Sequence, residues 1–196
     1  MPNTNSIKKT MVKLKLPQDV IAQMGFDGEG YNPVIAVMGK MNDMLTSEQL
    51  LAVMEQQGCH KGGKMDKASK VFGEAHADKS LAEKLEILSK EKDTPYLNDD
   101  GTLGIAVRCY VDDTSGVFPD CHCISGNYDK ESKAFAAEHP DKILSLAQTF
   151  CGCFAGHWKH HLQNRLRIKL RLTSIGASPA KTEKGYPRMF TYEIVG

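Results

Sequence analysis

The chain has 196 residues, 41% hydrophobic and 25% charged, and a net charge of +1. That length can bury a core without disulfides, and the near-neutral charge excludes the strongly basic face that nucleic acid demands. No apolar run approaches the roughly 20 residues a bilayer span needs, so no membrane partner is expected.

Residues Met1 to about Thr10 read as a loose terminus, and Lys8, Lys9, Lys13 and Lys15 as a solvated arm. The polar start leads into no apolar signal segment, so a cytoplasmic protein is expected. In a reducing compartment six cysteines serve as metal ligands, reactive thiols or packing groups rather than as structural disulfides. Asp27 to Gly30 marks a turn, and Asn32-Pro33 opens a helix through Val37, Met38, Met41 and Leu45. Thr46 to Gln49 is a capping box before an apolar run that Gly58 stops. Cys59-His60 follows in a glycine-rich corner, then a helix from about Met65 to Ala75, and a second capping box, Ser80 to Glu83, opening a helix with Leu81, Leu85 and Leu88 on one face.

Asp100-Gly101 between Tyr96-Leu97 and Leu103 to Val107 predicts a hairpin that delivers Cys109 into an aspartate-bearing loop. The loop ends at Cys121-His122-Cys123. Helical segments are expected over Lys130 to Glu138 and Asp141 to about Leu146. A further helix starts at Cys151-Gly152-Cys153 and runs to about Leu166, ahead of two strands near Ile168 to Ile175 and Met189 to Val195. The fold class is α+β: N-terminal helices over 1–92, then a cysteine-rich module over 93–196 with a small antiparallel sheet packed on the long C-terminal helix, the whole forming one compact unit.

The chemistry concentrates in the two C-x-C pairs. Cys121, Cys123, Cys151 and Cys153 can close a four-thiolate site, which suits zinc or an iron–sulfur cluster. Cys151 and Cys153 are expected at a helix N-terminus, where the dipole favours thiolate. At 100° per residue, Phe154, Trp158, Leu162 and Leu166 form the stripe facing the sheet. Cys153, His157, His160, His161 and Asn164 form the neighbouring stripe, and His157 is the next metal ligand or base after the cysteines. His160 and His161 are adjacent and point different ways, so at most one is expected at the site. Cys59, His60 and Cys109 are further candidates, or core residues. Two alternatives to a metal protein stand beside it: a metal-free hydrolase using Cys153 as nucleophile with His157 as base, and a sensor holding a small molecule between helix and sheet. Cysteines that are merely buried are a further alternative; metal-free protein with unreactive cysteines and a deep apolar pocket favours the sensor. Nothing in the sequence fixes an oligomeric state.

The segment Phe150 to His161, with Leu166, Lys169 to Arg171, Ser178-Pro179 and the strand Phe190 to Ile194, resembles an uncharacterised bacterial cysteine-rich family with paired C-x-C motifs. Its C-terminal half is similar in layout to small-ligand-binding domains of the 4-vinyl reductase type. The resemblance implies helices against an antiparallel sheet and a binding or sensor role near the cysteines. Many of those relatives carry a further cysteine before the last strand, where this chain reads Arg188-Met189-Phe190.

Overall fold

The computed structural model describes residues 2–27, 31–58, 63–91, 93–108, 138, 143–176 and 187–196. Among these, seven helices and four strands form an α+β fold, as expected. The helices are α1 Thr4–Lys13, α2 Gln18–Gln23, α3 Tyr31–Met44, α4 Ser47–Met54, α5 Lys64–Ala75, α6 Leu81–Leu88 and α7 Ile143–Leu166. A short 3-10 turn, Glu55–Gln57, extends α4. The strands are β1 Pro95–Leu97, β2 Leu103–Arg108, β3 Lys169–Ile175 and β4 Pro187–Val195, antiparallel in the order β1-β2-β4-β3.

Local signals explain most boundaries. Both capping boxes form, with Thr46 accepting from Gln49 N and Ser80 from Glu83 N. The β1–β2 hairpin closes where Gly101 takes a φ of +79° and Asp100 Oδ1 accepts the Thr102 N–H at 2.9 Å. Two expectations need correction. The first turns of the chain are not loose: α1 begins at an Asn3 cap, and Ile7 and Met11, four apart, are fully buried. The expected helical turn near Asp141 and the helix after the second C-x-C pair are one helix of 24 residues, α7. No proline interrupts residues 143–166, and the glycines inside it are held by packing.

Helix α7 separates two cores. Toward the sheet, Cys151, Ala155, Trp158, Leu162 and Leu166 pack with Leu103, Ile105, Val107, Leu170, Leu172, Phe190 and Tyr192, the inward residues of alternating strands. A bulge after Leu172 inserts Thr173 and brings Ile175 back to the inner face. The predicted Trp158–Leu162–Leu166 stripe therefore faces the sheet. On the other side Cys153 joins Ile7, Met11, Val34, Met38, Met41, Val53 and Met54 from the N-terminal helices.

Close backbone approach sets these distances. A Cβ on Gly156 would stand 2.1 Å from the Glu55 carbonyl oxygen, one on Gly152 2.5 Å from Met54 Cβ, and one on Gly73 2.0 Å from the Asn164 carbonyl oxygen. Glu55 itself is buried. Its carboxylate accepts from Lys159 Nζ at 2.7 Å and from the Leu172 N–H of the outer strand β3 at 3.0 Å. The buried Tyr192 hydroxyl donates to the Ala155 carbonyl at 2.8 Å, and burial pushes its ionisation well above the ordinary range.

Gly156→Ala is expected to lower stability by about 2–4 kcal/mol in chemical denaturation, because the obstacle is backbone and cannot move aside. Gly39→Ala, in α3 with open space around the added carbon, is expected to gain roughly 0.5–1 kcal/mol instead. Equal effects of the two would refute the close-packing account.

Candidate metal centre

Helices α5 and α7 cross at Gly73, and one face of each meets there. On α5 that face carries Asp66, Ser69 and Gly73, at spacings i, i+3 and i+7; on α7 it carries His157, His160, His161 and Asn164. α5 is amphipathic and α7 is apolar on two flanks, so these polar side chains are buried by the crossing rather than by their own character. Asp66 is 5% exposed, His161 1% and Ser69 not at all.

The contacts form one network. His160 Nε2 lies 2.7 Å from Asp66 Oδ1, and Lys70 Nζ donates to Asp66 Oδ2 at 2.9 Å. The same Nε2 also lies 3.0 Å from Asn164 Nδ2, so which partner it donates to or accepts from is set by the His160 tautomer. Asn164 Nδ2 donates to the His160 carbonyl at 3.0 Å. His161 Nδ1 is 3.1 Å from Ser69 Oγ, and its Nε2 is buried without a hydrogen-bond partner among the described residues. Arg165 reaches Ser69 Oγ through Nε at 3.4 Å while its Nη1 pairs with Glu91 at 2.6 Å. The His157 ring stands nearly perpendicular to His161 at 4.5 Å and stacks beside Phe154 at 6.3 Å.

Asp66, His160 and His161 each offer a ligand atom, and the three atoms lie within 4.8 Å of one another. The group can hold a metal ion. Burial, then the neighbouring His157 and His160, lower the His161 pKa from 6.5 to about 3, so the imidazole is neutral in the state a metal requires. Ser69 and His161 are no catalytic pair, because a serine with no exposed surface meets no substrate.

The residues singled out from the sequence fall elsewhere. Cys121, Cys123, Cys59, His60 and Cys109 lie outside the described residues. Cys151 and Cys153 sit in the third turn of α7, not at its N-terminus, so the dipole argument for their thiolates does not apply. Two residues apart on a helix, they diverge: Cys151 packs toward the sheet and Cys153 toward the N-terminal helices. The Cys153 thiol donates to the Gln57 carbonyl at 3.2 Å, a contact made by the protonated form. The expectation for His160 and His161 concerned the C-x-C site, of which Cys121 and Cys123 lie outside the described residues. Although adjacent, both reach α5: His160 meets Asp66 and His161 meets Ser69.

The sequence pattern points to the helix that carries Asp66 but not to Asp66 itself. Comparison of the chain with protein-family models, with curated proteins and with solved structures gives no match. No helix among the described residues is long and apolar enough to cross a membrane.

The metal-free protein should lose stability in mild acid. The unfolded imidazole takes up a proton near 6.5 and the folded one only near 3. Below 6.5 the unfolded state therefore binds more protons. The His161 contribution is complete above that pH and declines as pH falls toward 3, by an amount on the order of 3–5 kcal/mol. Urea midpoints of metal-stripped wild type and His161→Gln across pH 7 to 4 check this. A parallel pH dependence in the two proteins would show that His161 is not responsible.

Proposed function

We propose that this chain is a metal-binding protein whose ion lies between α5 and α7, held by Asp66, His160 and His161. The observation that carries the reading is the convergence of three ligand atoms within 4.8 Å around a buried, neutral imidazole whose Nε2 has no hydrogen-bond partner among the described residues. Two imidazoles and one carboxylate suit zinc and the neighbouring divalent transition ions, and they lack the sulfur an iron–sulfur cluster takes. Ser69, on His161 Nδ1, supplies the outer-shell hydrogen bond that fixes the tautomer of a ligating histidine. A bound ion would replace the direct His160–Asp66 contact. Only the His160 side chain, 24% exposed, opens toward solvent. The ion therefore clamps two helices rather than presenting a wide coordination site to a substrate.

Elemental analysis of anaerobically purified protein tests this. About one zinc per chain is expected in the wild type and in Cys151→Ser/Cys153→Ser, with loss in Asp66→Asn and in His161→Gln. Zinc or iron lost only in the cysteine double variant would instead establish the four-thiolate site of Cys121, Cys123, Cys151 and Cys153. Loading the stripped protein with zinc at a hundred times its dissociation constant should add about 2.7 kcal/mol of stability.

A second reading, a small-molecule binding role, has its own observation. A cavity of about 400 Å³ lies where α3, α4, α7 and the end of β3 meet, bordered by Asn42, Leu50, Met54, Thr149, Thr173 and Ile175 among others. None of its described lining residues is charged, which favours a compact neutral ligand of mixed polarity. Native mass spectrometry of gently purified protein should show a bound species that Leu50→Trp abolishes; a bare chain mass in both would reject the reading.

A further inference from the structure

We infer that Lys70 is an electrostatic brake on the metal centre, an internal cation paired with Asp66 that opposes an incoming ion. The inference rests on the metal reading above and names the regulation of that same site. Asp66 supplies the only negative charge in the group, and its Oδ2 is already engaged by Lys70 Nζ at 2.9 Å, one helical turn along α5. His160 and His161 bring no charge as ligands. Arg165 brings a positive one from α7, offset by its pair with Glu91. With Lys70 in place the Asp66 charge is partly offset before any ion arrives, which weakens the attraction of the site for a divalent cation.

The asymmetry of the pair makes this a brake rather than a fixed part of the site. The Asp66 side chain is 6% exposed and rigidly placed by the helix crossing, whereas that of Lys70 is 54% exposed. The ammonium can swing into water when an ion binds, but its charge stays within one side-chain length, inside the screening distance of about 10 Å at 0.1 M salt. A unit charge held about 5 Å from a divalent ion in high dielectric changes the ion's affinity roughly tenfold, and added salt erodes the effect. Removing the Lys70 charge, by substitution or by acylation of its exposed amine, should therefore tighten the site.

The test is zinc binding to the metal-stripped full chain, measured by chelator competition at about 50 mM and about 500 mM salt, for wild type, Lys70→Gln and Lys70→Arg. Lys70→Gln is expected to bind roughly tenfold more tightly than wild type at low salt and only about two- to threefold more tightly at high salt. Lys70→Arg, which keeps the charge, should match the wild type. Equal or weaker binding by Lys70→Gln would overturn the brake while leaving the metal site intact. A wild type and a Lys70→Gln variant that both fail to take up zinc, yet show native circular dichroism, would overturn the metal reading itself and the brake with it.

Discussion

Backbone contact along α7 governs the rest of the structure. A helix usually keeps its neighbours 8–10 Å away, axis to axis, because side chains fill the gap. Here Gly152 and Gly156 remove the side chains on one flank and let the end of α4 and its 3-10 turn lie against the helix, while Gly73 does the same where α5 crosses. Each glycine weakens a helix by up to about 1 kcal/mol relative to alanine. That cost is offset by the dispersion and burial that close approach permits. The two cores depend on it, since α7 is the wall they share.

The same approach sets the polar chemistry. Glu55 can bridge Lys159 and the outer strand only because Gly156 admits the 3-10 turn to bonding distance. Breaking one partner of a buried ion pair is far more costly than the pair is stabilising, so this carboxylate ties α4, α7 and β3 into one geometry. Gly73 has the matching role on the other flank: it brings α5 close enough for Asp66 and Ser69 to reach His160 and His161. Two carboxylates, one per crossing, thus sit behind two glycine contacts.

What could be read in the sequence follows from how local each cause is. The capping boxes at Thr46 and Ser80, the Asp100-Gly101 hairpin and the Trp158–Leu162–Leu166 stripe all rest on residues within a few positions of one another, and all four form. The start of α7 was missed because Gly152 between two cysteines imitates a helix boundary, whereas its real reason is Met54 on a distant helix. The loose reading of the first ten residues failed similarly: Ile7 and Met11 are too few to announce a helix, and partners such as Gln57, bonded to Ser6 and Thr10, lie about fifty residues away. Cysteines drew attention in the sequence because their spacing is visible there. The Asp66 group pairs positions more than ninety residues apart, and only the i, i+3, i+7 face of Asp66, Ser69 and Gly73 hinted that α5 carried a polar stripe meant for another helix.

A network of aspartate, histidines, serine and asparagine between two helices can exist for packing alone, and the Asp66–His160 contact would serve that purpose unaided. His161 is what separates the two accounts. Burying an imidazole with one nitrogen unsatisfied costs about 1–3 kcal/mol, and burial has already driven its protonation far below neutral pH. A residue kept only for packing would be better served by leucine or methionine of similar volume, which bury no polar atom at all. Retaining the ring, orienting it through Ser69 and leaving Nε2 without a described partner makes physical sense when something else supplies the missing bond. Under the proposed function, a cation shared with His160 and Asp66 would supply it and would tie α5 to α7.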